Sequence, residues 1–207
     1  MACNEGDVRD MLRGMPREQE LILGSASPRR AKILRGLGCA FRVDMVDAAE
    51  IKDASDPVRT VVANALAKYR ACRLRHPDSA LITADTLVWF EGRLIGKPRD
   101  LEEAAGFLRA FSGRVQIVYT GLALGLPNRE PDIRVEASSV KFKVLTPETI
   151  AAYLRKTGPL DRAGAYDIDE NGDLLIADFS GSYTNIMGLP QETVRDWLAG
   201  HGFIDLR

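Results

Sequence analysis

Two adjacent arginines, Arg29 and Arg30, follow a short apolar segment at the predicted start of a helix. Ser27 is typical of an N-cap, and Pro28 fits the first helical position, where its missing N–H has no partner to lose. Two guanidinium groups there oppose the helix dipole by about 0.3–1 kcal/mol each unless an anion binds. With the Ser25 hydroxyl and the loop N–H groups, the pattern predicts a phosphate site. The alternative is an ordinary strand-to-helix connection with two solvated arginines.

Asp85 is a carboxylate inside an apolar run, residues 80–85, that is typical of a buried strand. Burying a carboxylate costs free energy unless cations or hydrogen-bond donors meet it. Lys68 on a predicted helix and Lys97 after a predicted hairpin are the candidate partners. The alternative is that Asp85 simply ends its strand and caps a turn with Thr86.

The composition excludes several classes of protein. The chain has 207 residues and a formal net charge of −1, whereas nucleic-acid and polybasic membrane proteins usually carry a basic excess. No segment approaches the ~20 apolar residues of a membrane span, so we expect a soluble protein. Only two histidines are present, which favours a hard cation held by carboxylates over a histidine-rich zinc site. Three widely spaced cysteines fit a reducing cytoplasm.

The first 20 residues mix acidic and basic side chains without an apolar core. They match neither a signal peptide nor a typical transit peptide, and we interpret residues 1–20 as a mobile extension. Residues 21–207 contain no repeat and no low-complexity linker, which indicates a single domain. The sequence leaves a homodimer open.

Strand-like and helix-like segments alternate, which predicts an α/β fold with a mixed sheet. The predicted strands are 21–23, 41–46, 80–85, 87–90, 93–95, 115–126, 133–145, 166–168 and 174–176. The predicted helices begin at Pro28, Pro57, Asp100, Pro147 and Pro190. The spacing predicts that Val58 belongs to the buried face of its helix and that Val144 alternates with the buried residues of its strand.

Taken together, these segments resemble the Maf family of nucleoside triphosphate pyrophosphatases. The resemblance begins at residues 21–30, continues through residues 84–86 and 96–98, and ends with residues 160–166 and 181–190. Several separate motifs in one order are more specific than any single glycine-rich loop. The resemblance implies a two-lobed fold like that of inosine triphosphate pyrophosphatases, with a curved mixed sheet, flanking helices and a central cleft. It also implies hydrolysis of a nucleoside triphosphate to a monophosphate and pyrophosphate.

The resemblance further implies roles for individual residues. Asp85 would accept a proton from the attacking water, and Glu50 and Asp85 would hold a divalent metal cation, Mg²⁺ or Mn²⁺. The substrate phosphates would be bound by Ser25, Arg29, Arg30, Lys68 and Lys97. These assignments agree with phosphoryl transfer, which depends mostly on positioning and charge stabilisation. Without the resemblance, Glu50 reads as a solvated loop residue.

Three positions of the family pattern concern the base, namely Arg29, Thr86 and Asp169. Arg29 and Thr86 resemble the thymidine and uridine triphosphate branch. That branch carries glutamine where this chain has Asp169, and an ionised carboxylate only accepts hydrogen bonds. Residues 119–124 are closer to the 7-methylguanosine triphosphate branch. The sequence therefore leaves the base open.

Two other functions remain open at this stage. A nucleotidyltransferase would use a similar phosphate loop but would need a second substrate as the nucleophile. A nucleotide-binding regulator of septum formation would need the nucleotide site but not Asp85. The presence of Asp85 with Lys97 weighs against pure binding, because an uncompensated carboxylate would repel phosphates.

Overall fold

The computed structural model describes residues 19–205 as a seven-stranded mixed sheet with helices packed against it. The predicted α/β class is confirmed. Most of the predicted extension lies outside the described residues, but its last residue, Glu20, belongs to the fold. The backbone oxygen of Glu20 accepts a hydrogen bond from the Ala80 N–H at 2.8 Å, and its carboxylate pairs with Arg42 at 2.7 Å.

The strands are β1 (Leu21–Leu23), β2 (Arg42–Val43), β3 (Ala80–Phe90), β4 (Arg93–Ile95), β5 (Val115–Gly125), β6 (Asp132–Phe142) and β7 (Ile176–Ser180). Their order in the sheet is β2-β1-β3-β5-β6-β7, and β4 pairs with the second half of β3. Strand β1 runs parallel to β2 and β3, and the other pairs are antiparallel. The two segments predicted around Asp85 are one continuous strand, so Asp85 lies in its middle and does not end it.

The helices are α1 (Pro28–Gly36), α2 (Pro57–Arg75), α3 (Leu101–Phe111), α4 (Pro147–Lys156), α5 (Tyr183–Ile186) and α6 (Gln191–Gly200). Side-chain N-caps begin the first four, and the capping residues are Ser27, Asp56, Asp100 and Thr146. These caps explain why the predicted helix starts are confirmed, because each satisfies an N–H that the first turn leaves unpaired. Within residues 19–205, every helix is too short or too polar to cross a membrane.

Three apolar clusters include residues of β3. One joins Leu81 to α2, and the other two divide the strand along its length. Ile82 and Ala84, in the first half of the strand, belong to a cluster with α1 and α6. Val88 and Phe90, in the second half, belong to a cluster with α3 and α4. Asp85 lies between the two, where a cleft opens. The two-lobed arrangement therefore follows from a single long strand shared by two cores.

Several predicted details are wrong. Residues 41–46 contribute only the short strand β2, and residues 166–168 form no strand. Val144 is 85% exposed because β6 already ends at Phe142, where a bulge interrupts its pairing with β7. Val58 is 44% exposed because α2 buries Thr60, Val61 and Asn64 instead.

Helix α2 lies unusually close to the sheet at Gly121 on β5. A Cβ atom at this position would lie 2.5 Å from the backbone oxygen of Val61. Gly121 is also the cross-strand neighbour of Asp85. The missing side chain therefore lets α2 approach the strand that carries this carboxylate.

We predict that Gly121→Ala lowers the free energy of unfolding by about 1–3 kcal/mol, because the clash is with backbone and α2 must move. The matched control is Gly106→Ala in α3, where a Cβ would meet nothing nearer than 3.8 Å. This control should raise the free energy of unfolding by about 0.5–1 kcal/mol, because alanine is more stable than glycine inside a helix. Urea unfolding measures both, and equal effects of the two substitutions would contradict the proposed close packing.

Candidate functional site

A cleft of about 790 Å³ lies between the two cores. Its walls come from the loop between β1 and α1, the loop before α2, the middle of β3, and the segments around residues 161–168 and 186–188. Of the predicted site residues, Ser25, Arg29, Arg30, Glu50, Lys68, Asp85, Thr86 and Lys97 line this cleft. Asp169 does not appear in its lining.

Asp85 and Lys68 form a nearly buried ion pair. The Lys68 Nζ lies 2.6 Å from Asp85 Oδ1, and their side chains are 15% and 10% exposed. The second carboxylate oxygen of Asp85 accepts a hydrogen bond from Asn64 Nδ2 at 3.0 Å. Lys68 Nζ also lies 2.7 Å from Glu50 Oε1, so that one ammonium joins two carboxylates. Sequence reasoning identified Lys68 as a partner of Asp85, and the structure confirms this contact.

Helix α2 also positions the loop that carries Glu50. The side-chain oxygen of Asn64 accepts a hydrogen bond from the Ile51 N–H at 2.8 Å, and its amide group donates to the Ile51 carbonyl at 3.1 Å. One turn earlier, Thr60 donates to the backbone oxygen of Asp53 at 2.9 Å. Asn64 therefore fixes both Asp85 and the loop of Glu50. Sequence reasoning missed Asn64, although its position four residues before Lys68 places both on one helix face.

Arg30 does not project freely into the cleft. Its guanidinium donates to the carbonyls of Gly188 at 2.8 Å and Ala84 at 3.0 Å, and to the hydroxyls of Ser25 and Thr86 at 3.0 Å each. Burial lowers the pKa of this guanidinium, and the carboxylate of Asp85 opposes that shift. Arg30 therefore meets oxygen atoms of the protein where the sequence predicted an anion, and it connects α1 to β3 and the loop before α6.

Arg29 occupies the more open side of the same turn. It lies 3.7 Å from Asp167, whose carboxylate is almost fully buried and also pairs with Arg162 at 3.0 Å. Arg162 contacts Glu170 as well, at 2.8 Å. Sequence reasoning assigned no role to Asp167 or Arg162. The helix-like turns around residues 159–165 bring them to the cleft, and no local pattern shows that approach.

Lys97 is not a partner of Asp85. It forms an exposed ion pair with Asp161 at 2.7 Å, and this hydrogen bond holds the pKa of the Asp161 carboxyl below its ordinary value. Lys97 still lines the cleft. The Lys97 side chain is 63% exposed, so it can turn toward a bound anion without disturbing buried contacts.

The two other positions that the family resemblance connects with the base differ in their surroundings. Thr86 Oγ1 lies in the cleft but contacts Arg30, Thr120 Oγ1 at 2.9 Å and the Gly188 carbonyl at 3.3 Å. Asp169 instead pairs with Lys32 on the outer side of α1, at 2.5 Å. The contact with Asp169 raises the pKa of Lys32. In this arrangement the cleft wall nearest Asp169 is formed by Asp167 and Ile168.

The chain matches a family model described as Maf-like protein over residues 20–201. A curated relative from Akkermansia muciniphila, named dTTP/UTP pyrophosphatase, is 39% identical over 184 residues, which cover 88% of this chain and 97% of the relative. Relatives of the same name from Deinococcus radiodurans and Moorella thermoacetica are 40% and 42% identical, and the alignments cover 91% and 88% of this chain and 97% and 95% of the relatives.

A solved structure, described as nucleoside-triphosphatase / dITP/XTP pyrophosphatase from Mycobacterium abscessus, is a more distant likeness. It is 17% identical, has a TM-score of 0.39, and the match covers 66% of this chain and 93% of that chain. This likeness is too remote to bear on the arrangement of the cleft.

We predict that Arg30 and Arg29 differ sharply in their effect on stability. Arg30→Ala should lower the free energy of unfolding by about 2–4 kcal/mol, because the Ala84 and Gly188 carbonyls lose their donor. Arg29→Ala should change it by less than about 1 kcal/mol, because Arg29 is 31% exposed and its ion pair is long. Urea unfolding followed by circular dichroism compares them. Equal stability of the two variants would show that the Arg30 contacts are dispensable.

Proposed function

The chain belongs to the Maf-like protein family and is a nucleoside triphosphate pyrophosphatase, and we propose that it acts on dTTP and UTP at the cleft beside Asp85. Water attacks the α-phosphorus, the bond from this phosphorus to the bridging oxygen breaks, and pyrophosphate leaves with the electron pair. A monophosphate is the second product.

The charge of the cleft is the observation that carries the proposal. Six cationic side chains line it, namely Arg29, Arg30, Lys52, Lys68, Lys97 and Arg162, and four carboxylates, namely Glu50, Asp85, Asp161 and Asp167. A triphosphate carries about four negative charges, of which a divalent cation neutralises about two. The excess of two positive side chains therefore balances a triphosphate that arrives with its metal ion.

Asp85 is the group that accepts the proton of the attacking water. Its two oxygens are held by Lys68 and Asn64, at 2.6 and 3.0 Å, so the carboxylate cannot turn away from the cleft. Fixed orientation favours proton transfer, because the acceptor must lie within hydrogen-bond reach of the water in the reactive geometry. The ammonium of Lys68 also compensates the charge of this buried carboxylate.

The two carboxylates around Lys68 also fit a divalent cation. Glu50 and Asp85 each place one oxygen within 2.7 Å of the Lys68 ammonium nitrogen, a spacing that supports their approach to one cation. Carboxylate oxygens are the ligands that Mg²⁺ and Mn²⁺ prefer. Glu50 and Asp85 would hold the ion, which when bound neutralises phosphate charge and polarises a phosphoryl oxygen.

The phosphates are bound by the start of α1 and by the movable cations. Loop N–H groups and the Ser25 hydroxyl stand at a helix N-terminus, which attracts anions. Arg29 and Lys97 exchange their present partners, Asp167 and Asp161, for phosphate oxygens. Both cationic side chains reach solvent, and the buried Asp167 carboxylate keeps its ion pair with Arg162. Arg30 keeps the Ser25 hydroxyl in place through the hydrogen bond between them.

The preference for dTTP and UTP rests on the curated relatives, which carry this name at about 40% identity. Arg29 and Thr86 stand in the cleft, consistent with their assignment to the base-specificity positions. Asp169 contributes indirectly, because its N–H donates to the buried Asp167 carboxylate at 2.8 Å and so fixes the wall beside the base.

We expect pyrophosphate release from dTTP and UTP to need a divalent cation and no second substrate. Excess chelator should abolish release, and Mg²⁺ or Mn²⁺ should restore it, because the cleft alone does not neutralise a triphosphate. Pyrophosphate is measured with nucleotide, metal and water alone, over a panel that includes 7-methylguanosine triphosphate. Release only with an added acceptor would indicate a nucleotidyltransferase, and binding without release would indicate a regulator.

Asp85→Asn should lower the turnover number by about 10²–10⁴ while nucleotide binding is kept or strengthened. Asparagine has nearly the same shape, but it cannot accept the proton, and its neutrality favours binding of the polyanion. Asp132→Asn is the matched control, because Asp132 is a partly exposed residue paired with Arg134 and lies outside the cleft.

The nucleotide-dependent rise in melting temperature reports binding separately from turnover. A folded Asp85→Asn protein that keeps a turnover number within about tenfold of the unmodified chain would reassign proton acceptance, with Glu50 as the next candidate.

A further inference from the structure

A second group of metal-ligating side chains lies outside the cleft. Asp44, Cys72 and His76 bring a carboxylate oxygen, a sulfur and an imidazole nitrogen within 4.8 Å of one another. None of the three lines the cleft. Cys72 is fully buried, and the side chains of Asp44 and His76 are 15% exposed each, so the group is open to solvent on one side.

The fold positions these three residues through two elements. Cys72 and His76 are four residues apart at the end of α2, which places them on one helix face, and the His76 N–H donates to the Cys72 carbonyl at 3.0 Å. Asp44 directly follows β2, and its N–H donates to the Leu23 carbonyl at 3.0 Å. The backbone of each ligand is therefore fixed by hydrogen bonds independent of any ion.

We propose that Asp44, Cys72 and His76 bind a zinc ion, with water as the fourth ligand. Thiolate and imidazole are ligands that Zn²⁺ favours over Mg²⁺ or Mn²⁺, and a carboxylate is a common third ligand. One thiolate and one carboxylate also balance the charge of a divalent ion. The site is chemically distinct from the pair Glu50 and Asp85, which offers oxygen alone.

The surroundings of the cluster support this assignment. Arg75 Nη2 lies 2.8 Å from Asp44 Oδ1, while Asp44 Oδ2 contacts His76 Nε2 at 2.7 Å. Arg75 thus orients the carboxylate from outside, as supporting groups do around metal ligands.

Only a small adjustment is needed to bind the ion. Tetrahedral zinc ligands of this kind lie about 3.5 Å apart, given bonds of about 2.0–2.3 Å. The ligand atoms here are at most 4.8 Å apart. Asp44 and His76 are partly exposed and can turn toward the sulfur, and the ion then takes the place of the hydrogen bond between them.

The bound ion would lie beneath the phosphate loop. A Cβ atom at Gly24, the first residue of that loop, would lie only 3.3 Å from the Cys72 sulfur. The Asp44 N–H is hydrogen-bonded to the Leu23 carbonyl, and Cys72 lies against Gly24. The ion would therefore connect α2 to the end of β1. Zinc binding should therefore raise the melting temperature, independently of nucleotide.

The test uses the full chain with Cys3 and Cys39 replaced by alanine, which leaves Cys72 as its one thiol. Titration with Co²⁺ should give a thiolate-to-cobalt charge-transfer band that saturates at one ion per chain and disappears when zinc is added. Cys72→Ala and His76→Gln should each abolish the band, and Arg75→Ala should weaken zinc binding by about 10–100-fold.

His201→Gln and Asp85→Asn are the matched controls. His201 is the other histidine of the chain and contacts the Trp197 carbonyl, and Asp85 belongs to the cleft. Both variants should keep the cobalt band and the zinc-dependent rise in melting temperature. A folded protein without a band, or a band that survives His76→Gln, would overturn the proposal. His76→Gln keeps the test decisive if Cys72→Ala does not fold, because His76 ends its helix and lies partly in solvent.

Discussion

The contact between Asp85, Lys68 and Asn64 is the interaction around which the cleft is organised. An ionised carboxylate in the middle of a buried strand is stable only when cations and donors are supplied at fixed positions. Helix α2 supplies both, and it reaches the strand because Gly121 has no side chain. The same helix holds the loop of Glu50 through Asn64. One electrostatic requirement therefore assembles the helix, the strand and the loop.

Arg30 provides the complementary link on the other side of β3. Its guanidinium fork satisfies two backbone carbonyls and two hydroxyls from elements that are distant in sequence. This planar group suits such a role, because several donors are held in one rigid geometry. The loop between β1 and α1 is thus supported by an internal cation, while Arg29 and Lys97 lie at the cleft in ion pairs with Asp167 and Asp161. Two adjacent arginines therefore differ in their contacts: Arg30 donates to four oxygens of the protein, whereas Arg29 makes one long ion pair.

Local signals in the sequence predicted much of the fold and part of the site. Ser27, Asp56 and Asp100 identified helix starts because capping is a short-range interaction. The apolar residues on both sides of Asp85 predicted its burial. The position of Lys68 on a predicted helix made it a candidate partner of this carboxylate. Long-range contacts could not be predicted in this way. The partner of Lys97 is 64 residues away, and the acceptors of Arg30 include Gly188, which is 158 residues away. Glu50 required the family resemblance, because a loop glutamate carries no periodic signal.

Placing Asp85 in β3 also protects the sheet against a slip in strand pairing. Side chains alternate between the two faces of a strand, so a shift of one residue would turn Asp85 away from α2. It would then take the place of Ala84 against the apolar cluster that contains Leu122 and Trp197. An ionised carboxylate without a partner costs several kcal/mol in such surroundings, and Lys68 could not follow it there. Asp85 thereby destabilises a sheet in which β3 is shifted by one residue along β5, and it favours the native register of these two strands.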